Sequence, residues 1–348
     1  MELHEFMVPE VIHDVPSLDF ASSVATQPSD LFVGMNRSEG RILVSGEVYD
    51  LHNDDDWKKP ILEGGKNQRR IVILDPPFSK ISKTIYVDLE DARYVPRELV
   101  FGQDFNVFQY NRRRGDRTSV LWRLASYFTS DESLGHRPQV DFSDEPTFED
   151  KIPKLFWRGG VSGSRWLSPG ERKGAGKINL RTVVNPAIWK NNSRFQLVFG
   201  RAESPLIDAK FTGNTVDRFV HDYLRNEQFF GGTVSPRKMV NYRYLFCPAG
   251  NDVASSLYWI IGTQSVAVKE DVEYEVWPDF YLKPWVHFVP VSKGLADLEE
   301  KLDYCERNVS LTKRIVENAN AAYWQIRDSK VWSEQSYKAL DRMKLLRD

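Results

Sequence analysis

The stretch from Asn241 to Glu270, NYRYLFCPAGNDVASSLYWIIGTQSVAVKE, combines residue types in an order that could bind an anion. Its pattern predicts a strand that ends in the turn Pro248-Ala249-Gly250, with Asn251 or Asp252 as the N-cap of a helix beginning at Val253. Such a helix would direct unpaired backbone N–H groups and the positive end of its dipole toward the carboxyl end of the strand. Open α/β sheets bind nucleotides at that edge, so the turn suits a phosphate, although an ordinary capped helix fits the same spacing.

A second glycine-rich turn follows another predicted strand, KLFWRG, in the segment KLFWRGGVSGSRW. Arg158 and Arg165 in this segment carry planar guanidinium groups, which match diphosphate oxygens. The carboxyl ends of parallel strands meet at one edge, so the two turns would converge there. Together they favour a phosphate-binding edge.

Other patterns give weaker signals. The basic run FQYNRRRGDR, Phe108 to Arg117, could contact a nucleic-acid backbone or a sugar phosphate, but its length favours a solvated loop. The pair Asp54 and Asp56 has a spacing that can hold a metal-bound nucleotide sugar, yet it lies in a polar segment rather than at the end of an apolar strand. In GERKGAGKI the glycine spacing is wrong for a phosphate loop, and Ile178 stands where serine or threonine is required.

Composition narrows the class of protein. The 47 basic and 49 acidic residues nearly balance, which predicts no nucleic-acid partner. Six histidines are scattered without ligand spacing, so we expect no metal, and Cys247 and Cys305 are expected to be reduced thiols. An acidic N-terminus and the lack of a run of about 18 apolar residues predict a cytoplasmic protein with no transmembrane segment.

The elements that must position these residues follow from hydrophobic periodicity. The first half alternates short β-rich runs with polar segments, and DRTSVLWRLASYF places Val120, Leu121, Leu124 and Phe128 near one face of a predicted helix. The polar, proline-containing segment from Thr129 to Asp150 is the best linker. Beyond it, strands alternate with helices, which predicts a doubly wound α/β domain. Apolar residues at helical spacing predict two late helices, one through Leu295, Leu298, Leu302 and Cys305, the other through Ile315, Ala319, Ala322, Tyr323 and Ile326.

Four blocks along the chain resemble glycosyltransferase family 90, which includes capsule-associated xylosyltransferases, protein O-glucosyltransferases and bacterial lipopolysaccharide-modifying enzymes. The blocks are KIPKLFWRGGVSGSR from Lys151, SPLIDAKFT from Ser204, YRYLFCPAGNDVASSLYW from Tyr242 and LKPWVHFVPV from Leu282. With the helices that follow, the resemblance runs to about Tyr323, whereas residues 1–100 match poorly. The form GNDVASSLYW is similar to the bacterial and viral lipopolysaccharide-type branch.

The resemblance implies a GT-B fold, in which two Rossmann-like doubly wound domains face a central cleft. We expect residues 1–150 to form an acceptor-side domain and residues 151–328 a nucleotide-sugar domain. Residues 329–348 are expected to form a helix that packs back on the first domain. Family members use a UDP-sugar, invert the anomeric centre and need no metal or other cofactor.

The resemblance also assigns donor-binding residues. Without a metal, arginine side chains and backbone N–H groups must stabilise the departing diphosphate. The expected donor residues are Arg158, Gly159, Ser162, Arg165, Arg243, Gly250, Asn251, Asp252, Val253, Ala254, Ser255, Ser256 and Glu273. Glu273 could accept hydrogen bonds from ribose or sugar hydroxyls, or be a solvated loop residue, and His287 is interpreted as structural.

Inversion requires a carboxylate that takes the proton of the acceptor hydroxyl. In the O-glucosyltransferases it is the aspartate of an Asp-Tyr-Pro after an apolar strand. Asp75, in RIVILDPPF, is the matching candidate, although an aspartate before two prolines can also be a simple turn residue. Asp88 and Asp91 are the reserves.

One position departs from the family pattern. Relatives often carry a basic residue where this chain has Tyr258, a loss that Arg243 or Arg201 could compensate. We therefore expect a glycosyltransferase that moves a glucose-, galactose- or xylose-type sugar to a glycan or glycolipid hydroxyl. The alternative is a catalytically silent glycan- or nucleotide-binding protein on the same scaffold. A nucleic-acid-binding module that uses Arg112 to Arg117 is a third interpretation, which the net charge disfavours.

Overall fold

A computed structural model describes residues 2–9, 32–44, 47–53, 56, 76–88, 106–116, 119–123, 143–161, 163–164, 177–178, 192–212, 229–248, 250 and 254–346. The chain divides into two compact units. The first contains Met1–Pro138, Tyr274–Phe280 and Ile326–Asp348, and the second contains Gln139–Glu273 and Tyr281–Gln325.

The described strands and helices follow one another in a single order along the chain. They are α1 (Leu3–Met7), β1 (Phe32–Asn36), β2 (Arg41–Val44), β3 (Glu47–Asp50), β4 (Ile85–Asp88), β5 (Val107–Gln109), β6 (Arg112–Arg113), β7 (Ser119–Leu121), β8 (Ile152–Gly159), β9 (Gly163–Ser164), β10 (Lys177–Ile178), α2 (Ser193–Val198), β11 (Ile207–Phe211), α3 (Pro236–Met239), β12 (Tyr242–Cys247), α4 (Leu257–Ile260), β13 (Val266–Glu270), β14 (Tyr274–Glu275), β15 (Val289–Val291), α5 (Leu298–Arg307), α6 (Val309–Arg327) and α7 (Ser329–Arg342). Short 3-10 helices cover Pro76–Lys80 and Trp277–Phe280.

The first unit contains a sheet with the order β3-β2-β1-β4-β5-β7. The pairs β3–β2, β2–β1 and β1–β4 are antiparallel. The pairs β4–β5 and β5–β7 are parallel. The helix predicted through Val120 and Leu121 is wrong over Ser119–Leu121, which forms β7. All three residues of β7 are buried, and a short, fully buried strand cannot be told from a buried helix by periodicity alone.

Five aromatic side chains form the centre of the first unit. Phe78 stacks on Trp122 with ring centroids 4.7 Å apart, and Phe108 meets Trp122 edge-on at 5.2 Å. Trp332 of α7 joins this cluster at 5.0 Å from Trp122 and contacts Trp277 at 5.4 Å. The C-terminal helix α7 is therefore part of the core of this unit.

Arg112 and Arg113 of the basic run form strand β6 of the first unit and contact β14 there. Strand β6 pairs with β14, and Arg112 forms an ion pair of 2.6 Å with Glu275. The guanidinium carbon of Arg113 lies 5.5 Å from the ring centroid of Tyr274. These contacts place Tyr274–Phe280 with the first unit, although the sequence bounds had put it in the second domain.

The second unit contains a five-stranded parallel sheet with the order β11-β8-β12-β13-β15. In chain order this is the sequence 2-1-3-4-5, one of the two common doubly wound arrangements. The late helices are confirmed as α5 and α6, which bury Leu302 and Ile315 among others. Leu295 is buried but precedes α5 in a turn with φ 61°, so it contributes to the core without being helical.

The α/β class is confirmed, because each unit contains its own sheet with parallel strands. The antiparallel strands β1, β2 and β3 are an addition that a doubly wound sheet lacks. Across the residues that the structure describes, no helix has both the length and the apolar character needed to span a bilayer.

Candidate functional site

The strand order of the second unit reverses between β8 and β12, and ligands of open α/β sheets bind at the carboxyl ends of strands at such a point. Strand β8 ends at Gly159 and is followed by Gly160. Strand β12 ends at Cys247, with Gly250 three residues further on. Both glycine turns singled out from the sequence therefore lie at one edge of one sheet.

Close packing requires a glycine at the end of β8. A Cβ atom on Gly159 would lie 2.6 Å from the Cζ2 atom of Trp157, a buried core residue. The Gly159 carbonyl also accepts a hydrogen bond of 2.9 Å from the backbone N–H of Thr212. The turn that leaves β8 is thus held close to the core.

Arg194 is the main basic residue that the structure adds at this edge. It follows the N-cap Asn192, whose side chain accepts hydrogen bonds from the backbone N–H groups of Arg194 at 2.9 Å and Phe195 at 3.3 Å. The Arg194 guanidinium donates 2.9 Å to the carbonyl oxygen of Gly160 through Nη1. Burial lowers the pKa of Arg194 to about 10, and the charge of Glu270 opposes this shift. Arg194 therefore stays protonated at neutral pH beside the turn that follows β8.

Glu270 is the carboxylate that accompanies Arg194. It is the last residue of β13 and is 1% exposed. Its Oε1 atom accepts a short hydrogen bond from the Ser193 hydroxyl at the start of α2. Ser193, Arg194 and Glu270 thereby connect α2 to the ends of β8 and β13, on either side of β12.

Lys269 adds a second positive charge. It pairs in register with Cys247, and its Nζ atom lies 5.3 Å from the ring centroid of Phe288. Burial raises the pKa of the Cys247 thiol to about 12, while a hydrogen bond with Ser256 and the charge of Lys269 act to lower it. Lys269 therefore lies on the same side of the sheet as the end of the Gly250–Ser256 segment.

Sequence reasoning missed these charged residues, although weak signals existed. The apolar strand VAVKE ends in Lys-Glu, an unusual close for a buried strand. Asn192-Ser193 is a capping pattern directly before Arg194. Neither signal indicates which side chains point to the sheet edge.

The structure turns Arg158 away from this edge. Its Nη2 atom lies 2.7 Å from Asp208 Oδ1, and its guanidinium carbon is 4.3 Å from the ring centroid of Phe156. Asp208 also accepts a 2.8 Å hydrogen bond from Tyr242, whose pKa burial and this bond raise to about 12. In the register of β8 and β11, Asp208 lies opposite Phe156, two residues before Arg158. The expected diphosphate ligand is held here by an ion pair within the sheet.

The two arginines considered as compensation for Tyr258 also have structural partners. Arg243, the second residue of β12, lies at the opposite end of the strand and pairs with Glu306 at 2.6 Å. Arg201 donates to the carbonyl oxygens of Gln196 and Leu295. Arg243 therefore lies at the amino end of β12, and Arg201 is held by these two carbonyl oxygens.

The helix after Gly250 begins later than predicted. Helix α4 starts at Leu257 with Ser256 as its N-cap, and a turn joins the Leu257 N–H to the Ala254 carbonyl at 3.0 Å. With four residues, α4 has a small dipole, so backbone groups of the turn rather than the helix must serve an anion. Gly250, Ala254, Ser255 and Ser256 are described, whereas Asn251, Asp252, Val253, Ser162 and Arg165 lie outside the described residues.

Glu273 and His287 are two further predicted residues that the structure describes. Glu273 has an exposed side chain, 3.4 Å from Lys293 Nζ. His287 accepts a 2.9 Å hydrogen bond from the Lys283 N–H at Nδ1, which fits the structural role expected for it. Burial lowers the pKa of His287.

The first unit carries one described candidate for the base. Asp75 and Asp91 lie outside the described residues, although Pro76–Lys80 directly follows Asp75 as a 3-10 helix. Asp88 is the last residue of β4, at the carboxyl end of the parallel half of the sheet, and is 1% exposed. Its Oδ2 atom accepts a 3.3 Å hydrogen bond from Gln109.

Clusters of metal-ligating side chains are another kind of site that the described residues could form. Within the ranges given for the structure, no group of three or more His, Cys, Asp or Glu side chains could hold a metal ion. The charged groups near the sheet edge of the second unit are instead Arg194, Lys269 and Glu270.

A doubly wound parallel sheet with glycine turns at its reversal point is the architecture of nucleotide-binding α/β proteins. The family model for glycosyl transferase family 90 matches residues 138–326, more than half of the chain. The chain therefore belongs to glycosyltransferase family 90.

Three relatives illustrate how similar this chain is to other proteins. The O-glucosyltransferase LpsA of Dichelobacter nodosus is 34% identical over 148 residues, which are 41% of this chain and 44% of that protein. Protein O-glucosyltransferase 2 of Danio rerio is 28% identical over 176 residues, 49% of this chain and 28% of that protein. The uncharacterized protein 035R of Invertebrate iridescent virus 3 is 26% identical over 207 residues, 56% of this chain and 17% of that protein. The chain spans less than half the length of these relatives.

Solved structures show only distant likeness. Anabaena HepE in complex with UDP has 14% identity and a TM-score of 0.38, covering 68% of this chain and 64% of that chain. TarM has 11% identity and a TM-score of 0.38, covering 87% of this chain and 61% of that chain. Likenesses with TM-scores this low support no conclusion about this protein.

Proposed function

We propose that this protein is an inverting, metal-independent glycosyltransferase. It transfers a glucose-, galactose- or xylose-type sugar from a UDP-sugar to a hydroxyl of a glycan or glycolipid acceptor. The observation that carries the proposal is the reversal point of the parallel sheet, where the Arg194 guanidinium lies beside the turn after β8. The names of the O-glucosyltransferase relatives support a sugar donor.

The second unit holds the donor in this proposal. Negative charge develops on the diphosphate as the bond between the sugar carbon and the UDP oxygen breaks, and fixed donors stabilise that charge. Arg194 and Lys269 supply positive charge, and backbone N–H groups of the segment from Gly250 to Ser256 complete the proposed cradle. Ser162 and Arg165 remain proposed partners in the segment after Gly160. Glu270 keeps Arg194 in place and balances part of its charge.

The first unit supplies the base. Asp75 is the proposed base, because it follows an apolar strand as the aspartate of the family's Asp-Tyr-Pro does; Asp88, buried at the carboxyl end of β4, and Asp91 are the reserves. The acceptor hydroxyl gives its proton to Asp75, the acceptor oxygen forms a bond to the anomeric carbon, and UDP leaves with the bonding electrons. One displacement of this kind inverts the anomeric centre.

Hydrolysis of UDP-glucose in EDTA tests the function without a known acceptor, because water replaces the acceptor hydroxyl. We expect slow release of UDP and glucose, and NMR should detect β-glucose as the first product from the α-linked donor. Asp75→Asn should lower the rate by a factor of about 10²–10⁴ while UDP affinity is kept. Asp56→Asn, at an exposed aspartate, is the matched control.

Two outcomes would contradict the proposal in different ways. Turnover that persists in Asp75→Asn would move the base assignment to Asp88 or Asp91. Tight UDP binding with no release of sugar by the wild type would favour the silent binding protein.

A further inference from the structure

We propose that Ser193 is a positioning residue that orients the Arg194 side chain for the diphosphate of the donor. It acts through the buried Glu270 carboxylate, to which its hydroxyl donates a hydrogen bond. The inference rests on the proposed function, in which Arg194 supplies positive charge to the diphosphate. It adds a supporting pair that the family resemblance does not assign, and every contact that carries it lies within the second unit.

The hydroxyl of Ser193 makes a long-range contact rather than a local one. A serine at the start of a helix often accepts hydrogen bonds from backbone N–H groups of the first turn. In α2 the Asn192 side chain fills that role, because it accepts from the N–H groups of Arg194 and Phe195. The Ser193 hydroxyl instead bonds Glu270, 77 positions further along the chain. Ser193 therefore connects the start of the helix to the sheet.

Glu270 is a fixed anchor for this bond. It ends β13, which lies between β12 and β15 in the sheet, and it pairs in register with Val291 of β15. The next residue, Asp271, donates its N–H to the Val291 carbonyl at 2.9 Å. Charged side chains are seldom as deeply buried as Glu270 unless they have partners. Ser193 is such a partner and is 3% exposed, so the bond is shielded from water.

Arg194 differs from this buried pair because it is partly exposed. Its Nη1 atom donates 2.9 Å to the Gly160 carbonyl, and its guanidinium carbon lies 5.9 Å from the ring centroid of Trp157. These contacts hold the guanidinium against the end of β8. The backbone of Arg194 is held separately, through the neighbouring Ser193 and its bond to β13. An arginine side chain has many rotamers, so a second constraint at its backbone favours a single orientation.

The rest of α2 keeps the helix in place without this bond. Its apolar residues are buried in the core, namely Phe195, Leu197 and Val198. Ser193→Ala therefore removes one hydrogen bond and leaves the charge of Glu270 unchanged. We expect the start of α2 to loosen and Arg194 to populate several orientations. Affinity for a diphosphate should fall, whereas affinity for a nucleoside without phosphates should not.

The experiment is a calorimetric titration of UDP in EDTA with the wild type, Ser193→Ala, Arg194→Met and the double variant. We expect Ser193→Ala to weaken UDP binding about three- to tenfold, the range for loss of one hydrogen bond, and to leave uridine affinity unchanged. In the Arg194→Met background the same change should alter UDP affinity by less than about twofold. The reason is that the group which Ser193 positions is then already absent.

Ser265→Ala is the matched control. Ser265 is 2% exposed in the same unit, and its hydroxyl donates 2.8 Å to the Tyr242 carbonyl. It directly precedes β13, so it lies at the opposite end of that strand from Glu270. This variant should lose stability as Ser193→Ala does, yet bind UDP like the wild type. A purely structural role for Ser193 would make the two variants alike in UDP affinity.

The outcomes separate this inference from the proposed function. If Arg194→Met weakens UDP binding but folded Ser193→Ala binds UDP like the wild type, Ser193 has no positioning role. An equal loss in the wild-type and Arg194→Met backgrounds also overturns the inference, because the effect would not act through Arg194. If Ser193→Ala does not fold, Ser193→Cys replaces it, since a thiol fills the space but donates only weakly, and wild-type affinity then overturns the inference. No UDP binding by the wild type, or undiminished binding by Arg194→Met, would instead refute the proposed donor site.

Discussion

At the scale of single residues, Glu270 and Glu273 differ sharply although they are three positions apart. Glu270 is buried at the end of β13 and accepts the Ser193 hydroxyl, whereas Glu273 is exposed beside Lys293. The family resemblance indicates Glu273, and its role as a donor-binding residue stays a prediction. Burial and contacts of the kind that Glu270 makes depend on the fold and cannot be read from a motif.

The first prediction concerns the stability that Glu270 provides. Glu270→Gln removes a buried negative charge that acts on Arg194 and weakens the hydrogen bond that Ser193 donates to it, so we expect a loss of about 1–3 kcal/mol in unfolding free energy. Urea unfolding followed by circular dichroism measures it. Glu273→Gln, the matched control, should stay within about 0.5 kcal/mol of the wild type. Equal stability of the two variants would show that Glu270 does not balance Arg194.

The second prediction concerns His287 and pH. Burial lowers the pKa of His287, so the unfolded chain takes up a proton first as the pH falls below about 6.5. The stability that its hydrogen bond adds, about 1 kcal/mol, is therefore full above that pH and is lost progressively below it. Unfolding free energies at pH 8 and pH 5 should show the advantage of the wild type over His287→Gln shrinking.

An exposed histidine gives the comparison for this test. His52→Gln should have the same small effect at both pH values. If the wild type keeps its full advantage over His287→Gln at pH 5, His287 is not held in its neutral form.

At the scale of elements, the sequence predicted the strands and late helices of the second unit well. Strand β12 and helices α5 and α6 carry strong periodicity, and they bury most of the residues that the pattern assigned to them; Leu295, which precedes α5, and Tyr323, which is partly buried, are the differences. Two elements were mistaken, for different reasons. Strand β7 is too short for its period to show, and α4 begins at Leu257 because a turn at Ala254 precedes it.

The third prediction concerns α7. Trp332 is 2% exposed and contacts both Trp122 and Trp277, so Trp332→Ala should destabilise the first unit by about 3–5 kcal/mol. Urea unfolding followed by circular dichroism measures this loss. Trp324→Ala, at a residue that is 66% exposed, is the matched control and should change stability by less than about 0.5 kcal/mol. Similar values for the two variants would mean that α7 is not part of this core.

At the scale of the whole molecule, the order of the elements along the chain does not indicate how the first unit is assembled. It draws on three separate segments, and the pairing of β6 with β14 joins residues about 160 positions apart. No local pattern in residues 274–280 indicates this pairing, because it depends on the fold of both segments. The family match at residues 138–326 does not cover most of the first unit, so the family resemblance does not predict the fold of that unit.

The fourth prediction concerns metals. In the proposed function, Arg194 and Lys269 supply the positive charge that a cation would otherwise provide, so we expect UDP-glucose hydrolysis to proceed at the same rate with excess EDTA as without it. Rates measured after metal removal, and again after addition of Mg²⁺ or Mn²⁺, test this. A rate that depends on the added ion would contradict metal-independent stabilisation of the leaving group.

The central claim is that the carboxyl edge of the second unit's sheet binds the diphosphate of a nucleotide sugar. Titration of UDP by calorimetry in EDTA, with the wild type, Arg194→Met and the exposed control Arg314→Met, tests it most directly. Uridine serves as the ligand without phosphates. We predict that UDP binds the wild type and Arg314→Met alike and binds Arg194→Met at least about tenfold more weakly, the size expected for a charge-assisted hydrogen bond, while uridine affinity stays the same. Equal UDP affinity in folded Arg194→Met, or no UDP binding by the wild type, would contradict the account.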